Sequence, residues 1–278
     1  MLKVSQITSV YNVDEWLERT IISFLNQTLK ESELILINDC SPDKSMDIIN
    51  KYIDNPRIKV INHEYNMGPG VARQTGINTS IGEYTIFVDG DDWLENDCLE
   101  RMYNEAILNN ADMVSCKTYQ HNDYGLDKNH TKEEIWVKND FYSFINNKLI
   151  KREIWNKTNY SHLRFREDIN TLFRCLEFAN KCISMNYVGY HYNLRPSSLT
   201  STINNQCKNA TYYALSVIEN INFAKKHLEK VSGAYKFIFN PFIVCMSYKM
   251  ALKSRKNNEY EEEIKEIESF LKENKFLK

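Results

Sequence analysis

Residues 84–93, YTIFVDGDDW, carry five strand-forming residues straight into three carboxylates within four positions. Tyr, Thr, Ile, Phe and Val favour a pleated strand, and Gly90 opens a turn behind them. In an open parallel sheet, ligands gather at the carboxyl ends of the strands, so Asp89, Asp91 and Asp92 stand where a ligand would bind. Three carboxylates this close repel one another unless a cation lies among them, and an all-oxygen set favours a hard ion such as Mn²⁺ or Mg²⁺. That ion could hold a diphosphate and, as a Lewis acid, stabilise the negative charge growing on it as it leaves. The plain alternative is a solvated acidic turn. Against it stand Asp39 and Arg73, which follow neighbouring strands at equivalent positions.

Outward from this segment, strands and helices alternate. Residues 3 to 10 are rich in Val and Ile and end at Tyr11-Asn12, a strand running into a turn. Asp14-Glu15 then forms an acidic first turn for a helix with Leu17, Ile21, Phe24 and Leu25 at helical spacing. ELILIN at 33 to 38 is a second strand; Ser41-Pro42-Asp43 opens a second helix with Met46, Ile49 and Ile53 on one face. RIKVI at 57 to 61 is a third strand. Gly68-Pro69-Gly70 next breaks the chain ahead of a short helix around Ala72, Arg73 and Gly76. DMVSC at 112 to 116 follows as a fifth strand. This alternation predicts an α/β domain with a mainly parallel central sheet flanked by helices.

From 117 to 135 the chain is polar without apolar period and reads as a long surface loop. Beyond it the pattern predicts helices near 140 to 147 and 167 to 180, and strands near 183 to 188 and 190 to 194. Three further helices follow, over 207 to 230, 234 to 253 and 258 to 274. The chain thus divides into residues 1–204, with a nucleotide-binding half (1–116) and an acceptor-side half (117–204), and a helical C-terminal extension (205–278). With 278 residues, 42% of them hydrophobic, it can bury a sizeable core. A net charge of -2 leaves no bulk basic field for nucleic acid. Seven scattered cysteines with no C-x-x-C spacing suggest neither disulfides nor a zinc site and fit a cytoplasmic protein. The N-terminus reads as a first strand rather than a signal peptide, and no run of about 18 apolar residues could span a bilayer.

Several further side chains carry polar chemistry. Asp39 could accept a hydrogen bond from a base N–H or simply close a turn, and Tyr11 could pack on that base or belong to the core. Arg73 suits either a phosphate oxygen or one of the aspartates. Glu167 and Asp168 open an apolar-periodic helix, as caps or as an acid pair able to take a proton. His191 is a structural residue or a late metal ligand. Arg195 and Ser198 either grip phosphate in a closing loop or form a turn around Pro196.

In order and spacing, SVYNVDEWLERTIISFLNQT (9–28), LILINDCSPDKS (34–45), NMGPGVARQTG (66–76) and GEYTIFVDGDDW (82–93) resemble the family-2 inverting glycosyltransferases with the GT-A fold. The resemblance continues more weakly through NKLIKREIW, FREDINTLFRCLE and YHYNLRPSSLT, so it covers roughly residues 1 to 200. It implies transfer of a sugar from a nucleotide-diphosphate donor, expected to be a UDP-sugar, to an acceptor hydroxyl in cell-surface polysaccharide, lipopolysaccharide or capsule assembly. By that resemblance Ser9, Tyr11 and Asp39 contact the nucleoside, Arg73 and Gly90 lie near the nucleotide, Asp89 meets ribose or metal, and Asp91 binds metal and diphosphate. The resemblance likewise implies that Asp168 is the catalytic base. The chain departs from the family pattern at Asn38, where relatives carry a second acid, and at Gly90, where another small residue is usual. At His191 many relatives are aromatic.

Other readings compete with this one. A glycosyltransferase acting on a protein or a modified nucleobase shares every motif. A nucleotidyltransferase would carry a Gly-rich basic loop after the first strand, where this chain has SVYNVDEW. A non-catalytic sugar-nucleotide-binding protein would not need the Glu167–Asp168 pair. Residues 235 to 252 are apolar but interrupted by Lys236, Asn240, Pro241 and Lys249, so the extension either packs on the main domain or meets a membrane surface or a second subunit. On the membrane reading the protein sits at the inner face of the membrane, acting on a glycan or lipid-linked glycan.

Overall fold

The apolar run at the N-terminus forms strand β1 (Val4–Val10) in the computed structural model, which describes residues 1–122, 145–164, 166–195, 206–227, 241–254 and 260–274. On one side β1 pairs in parallel with β2 (Ser32–Asn38), which pairs in parallel with β3 (Ile58–Asn62). On the other side it pairs in parallel with β4 (Tyr84–Phe87). The intervening helices are α1 (Asp14–Leu25), α2 (Ser45–Asn50) and α3 (Pro69–Thr79).

Because successive strand side chains point to opposite faces, the apolar runs split between two cores. Val4, Leu34 and Leu36 pack with Leu17, Ile21 and Phe24 of α1. Ile7, Ile35 and Ile37 pack with Ala72 of α3 on the other face. Both faces are therefore dry, which is why these strands appear as continuous hydrophobic stretches. Helix α2 stops at Asn50, so Ile49 is buried but Ile53, expected on the same face, lies beyond the helix and is exposed.

The far half of the sheet is mixed. It comprises β5 (Trp93–Leu94), β6 (Met113–Asn122), β7 (Lys148–Lys151) and β8 (Cys182–Leu194), in the full order β3-β2-β1-β4-β7-β6-β8-β5. β7 runs antiparallel to both β4 and β6, β8 is parallel to β6, and β5 is antiparallel to β8. Helix α4 (Cys98–Asn109) joins β5 to β6, and α5 (Glu167–Phe178) precedes β8.

Two expectations are corrected here. The stretch 117–122 is strand, not loop: Thr118 to Asn122 pair with Tyr190 to Leu194, and those partners are too distant in sequence to leave a local period. For the same reason the two strands expected at 183 to 188 and 190 to 194 are one strand, with a register irregularity opposite Ser115 and Lys117. Residues 123–135 of the expected loop, and most of the helix expected near 140 to 147, lie outside the described residues; 145–147 form a bend and turn.

The C-terminal segment holds α6 (Gln206–His227), α7 (Pro241–Ser254) and α8 (Glu261–Glu273), while residues 228–230, 234–240 and 258–259 of the expected helices lie outside the described residues. These helices share an apolar cluster that includes Leu215, Ile218, Val244, Ile264 and Ile267, against which Phe173 of α5 packs. Among the described residues no helix is long and apolar enough to cross a membrane.

Candidate active site

The register sets Val10 opposite Asn38 and Asn38 opposite Asn62, while Ile7 lies opposite Phe87. The carboxyl ends of the four parallel strands thus reach one edge, bringing Ser9, Tyr11, Asp39 and Asp89 to the same rim. Ser9 is half-buried and Tyr11 is exposed, so the core alternative for Tyr11 is not realised. Asp39 is buried. Its Oδ1 lies 2.7 Å from His63 Nδ1 and accepts the Met67 N–H at 2.9 Å, and its Oδ2 accepts the Gly68 N–H at 2.8 Å. It thereby closes the turn where Gly68 takes φ 91°, a conformation that favours glycine, at the entry to α3.

The acidic turn is built from its own backbone and from α1. The Asp92 N–H donates to the Asp89 carbonyl at 3.0 Å. The Thr20 hydroxyl lies 2.6 Å from the Asp92 carbonyl and 3.0 Å from that of Gly90, and Arg19 donates to the Asp91 carbonyl at 3.1 Å. Gly90 must be small: a Cβ there would come within 2.8 Å of Val13 Cγ2 and 3.3 Å of the Ser9 carbonyl oxygen.

Each of the three aspartates has a different partner. Asp89 Oδ1 accepts from Arg73 at 2.6 Å and Oδ2 from Asn146 at 2.7 Å. Asp91 pairs with Arg195, whose guanidinium also donates to the Asn12 carbonyl at 3.3 Å and lies over the Trp16 ring. Asp92 is buried; it accepts the Tyr190 hydroxyl at 2.5 Å and the Asn193 N–H at 2.8 Å. Burial pushes the Asp91 carboxyl up, Asp89 adds to the rise and Arg195 opposes it. Burial, then Asp91 and Asp89, drive Asp92 well above the usual carboxylate range. The repulsion anticipated among these acids is thus met within the chain, by Arg73 at Asp89, by Arg195 at Asp91 and by the hydrogen bonds to Asp92.

Arg73 is buried over the Tyr160 ring and bridges Asp89 to Glu167, donating to Glu167 at 2.7 Å. One guanidinium therefore ties the strand-end acids to the acid pair opening α5. Burial raises Glu167 to about 7, against the pull of Arg73. Burial also raises Asp168, again opposed by Arg73. Asp168 Oδ1 accepts the Ile169 N–H at 2.8 Å, and among the described residues its other oxygen carries no hydrogen bond. Glu167 by contrast gives its Oε1 to Arg73.

His191 lies on β8 opposite Trp93 and stacks on its ring with centroids 5.0 Å apart. Its Nδ1 is 2.9 Å from His121 Nε2 and its Nε2 is 2.8 Å from Glu95, so both ring nitrogens are engaged away from the aspartates. Ser198 lies outside the described residues. Asn146 and Tyr190 escaped the sequence reading. The tandem Asn146-Asn147 before a strand was the only available hint of the first, and Tyr190 looked like one aromatic among several in a strand.

Among the described residues no group of three or more acids, histidines or cysteines could cage a metal. The donor set nonetheless fits an ion shared with a ligand. Asp91 Oδ1 carries no hydrogen bond among the described residues, and hard ions are commonly held by one or two carboxylates plus phosphate oxygens and water.

The sequence profile described as glycosyl transferase family 2 matches residues 5–173, and the chain belongs to that family. It is a glycosyltransferase. It is 33% identical over 216 residues to the glycosyltransferase EpsJ of Bacillus subtilis, covering 71% of this chain and 62% of EpsJ, so it spans less than two thirds of that relative. It is 30% identical over 258 residues to a glycosyltransferase of Haemophilus influenzae, covering 88% and 98% of the two chains. Among solved structures, S. aureus TarS 1-349 in complex with UDP-GlcNAc is similar with a TM-score of 0.71 at 20% identity, over 95% of this chain and 79% of that one. The mannosyltransferase PcManGT of Pyrobaculum calidifontis, in complex with GDP-Man and Mn²⁺, gives 0.63 at 13%, over 92% and 76%. At these identities the structures speak for the GT-A fold alone.

Proposed function

We propose that the chain is an inverting glycosyltransferase that moves a sugar from a UDP-sugar to an acceptor hydroxyl in bacterial cell-surface glycan assembly. The observation that carries this reading is the Arg73 bridge, which sets the donor-side acids and the Glu167–Asp168 pair on one crevice. In this reading Ser9 and Tyr11 line the nucleoside end of that crevice, with Asp39 holding its floor, and Asp91 faces the diphosphate. A bound Mn²⁺ or Mg²⁺ would supply Lewis-acid stabilisation of the leaving diphosphate.

Asp168 accepts the proton of the acceptor hydroxyl while that oxygen attacks the anomeric carbon from the face opposite the diphosphate. The carbon–oxygen bond to the diphosphate breaks, its electron pair leaves with the nucleoside diphosphate, and the anomeric configuration inverts. Glu167 is turned to Arg73, which supports Asp168 rather than Glu167 as the base. The acceptor is a glycan or lipid-linked glycan, encountered in the cytoplasm or at the inner face of the membrane.

The test is release of UDP and transfer of sugar across a panel of sugar nucleotides with Mn²⁺. Asp168→Asn is expected to lower transfer by about 10²–10⁴-fold while keeping nucleotide affinity. Asp91→Ala is expected to weaken Mn²⁺-dependent nucleotide binding. Full transfer by Asp168→Asn would remove the base assignment.

A further inference from the structure

We propose that Glu219, on α6 of the C-terminal segment, is a positioning residue for the acid pair at the start of α5. The inference rests on the reading of Asp168 as the base. Arg166 at the N-cap of helix α5 adopts φ 64° and makes no side-chain capping bond. Caps ordinarily fix where a helix begins and how its first turn points. Here the direction of Glu167 and Asp168 depends on Arg73 at Glu167 and on what holds the rest of the helix.

Helix α6 supplies that hold. Its residues Tyr213, Ser216 and Asn220 recur at helical spacing on one face, with Glu219 beside them. The Arg166 guanidinium lies over the Tyr213 ring, 5.0 Å from its centroid. Ser216 and Asn220 both donate to Asn170 Oδ1, Asn220 at 2.6 Å. Glu219 Oε2 collects three donors: Asn170 Nδ2 at 2.6 Å, the Ser161 hydroxyl at 2.6 Å and Arg174 at 3.1 Å. Asn170 and Arg174 are one turn apart on α5 and buried, so they have no water to fall back on.

The knot reaches the acid pair by two routes. The Ser161 N–H donates to Thr171 Oγ1 at 2.9 Å, and the Thr171 hydroxyl donates to the Glu167 carbonyl at 2.7 Å. The Ser161 carbonyl presses on α3, where a Cβ at Gly70 would come within 2.0 Å of it, one turn before Arg73. Apolar helix contacts tolerate small slides, whereas a buried polar network is satisfied in one register only. Glu219 is the anionic centre of this network, so the C-terminal segment sets the position of the base without touching the substrate.

The experiment compares Glu219→Ala, Glu219→Gln and Asp168→Asn in the full chain. UDP release is followed from UDP-glucose, UDP-galactose and UDP-N-acetylglucosamine with Mn²⁺, with water as acceptor, and UDP affinity and melting temperature are measured alongside. Glu219→Ala is expected to lower kcat about 10²-fold with donor KM and UDP affinity unchanged, the size of effect that a misplacement of about 1 Å produces. Glu219→Gln keeps an acceptor oxygen for the same donors and should stay within about tenfold of the parent chain. If the alanine variant does not fold, Ser216→Ala, which removes one neutral donor, should still lower kcat several-fold at constant KM. The positioning role is overturned if a folded Glu219→Ala turns over at the parental rate, or if kcat and UDP affinity fall together. A fully active Asp168→Asn instead removes the base reading itself, whatever the Glu219 variants do.

Discussion

Replacing Arg73 by Met removes a buried guanidinium while keeping most of its length, and strands two carboxyls that it pairs at 2.6 and 2.7 Å. Taking one partner from a buried ion pair typically costs about 3–5 kcal/mol, because the remaining charge has neither water nor counter-ion. Glu167 allows part of that cost to be tracked by pH. Its folded-state value of about 7 lies above its unfolded value of 4.5, so between these two the native chain holds a proton that the unfolded chain has lost. The contribution of this carboxyl to stability is therefore fully present below 4.5 and is lost as pH rises through about 7. Without Arg73, burial acts unopposed and the folded-state value climbs further, so the mutant keeps losing stability where the parent chain has stopped. The destabilisation should then grow above neutral pH by up to about 1.4 kcal/mol per unit. Urea unfolding of both chains at about pH 6 and about pH 8 measures this directly, with an expected loss of about 3–5 kcal/mol that is larger at the higher pH. A loss under about 1 kcal/mol at both, or one that shrinks on raising the pH, would refute the bridge as the tie between the two acid sets.

Gly70→Ala drives a methyl group against the Ser161 carbonyl, a backbone atom that cannot rotate away, and should cost about 1–3 kcal/mol in urea unfolding. Unaltered stability would mean that α3 and the 158–164 segment are not in contact. The pH dependence of kcat/KM should fall on the acid side at a pH above the ordinary aspartate range, because burial raises the Asp168 carboxyl and the base must be ionised to accept a proton. An acid limb no higher than that of an ordinary aspartate would contradict that.

The four parallel strands were readable because both of their faces are buried, so Val4, Leu34, Ile35 and their neighbours form unbroken apolar runs whose length and flanking turns are local properties. The far half of the sheet was not, for the opposite reason. Trp93–Leu94 is a strand only because Tyr190 and His191 lie beside it, and 117–122 is strand only because of 190–194. Pairing across some seventy or more residues leaves no period in either partner. The same distinction governs the site. Asp89, Asp91 and Arg73 sit at strand and helix ends that local pattern locates, whereas Asn146 reaches Asp89 from an element 57 residues away, and nothing near it in sequence announces an acidic partner.

The cluster's electrostatics show where local reasoning about charge fails. Three adjacent aspartates imply a counter-ion, and the sequence offers a metal as the simplest one. The folded chain instead brings Arg73 and Arg195 to Asp89 and Asp91, and buries Asp92 against a phenol and an amide. Acid spacing therefore does not by itself require a metal. Yet Arg73 is shared between Asp89 and Glu167, Arg195 is held by Asp91, and among the described residues Asp92 and Asp168 form no ion pair with a guanidinium, while burial pushes up four of these five carboxyls. On the proposed reading, a site whose two arginines are already engaged has little positive charge to spare for a diphosphate, and bringing two more negative charges into it would call for compensation from outside the chain. It is then the ligand, rather than the acids by themselves, that creates the need for a divalent ion. For that reason the informative measurement on Asp91→Ala is the Mn²⁺ dependence of nucleotide binding, and not metal binding by the free protein.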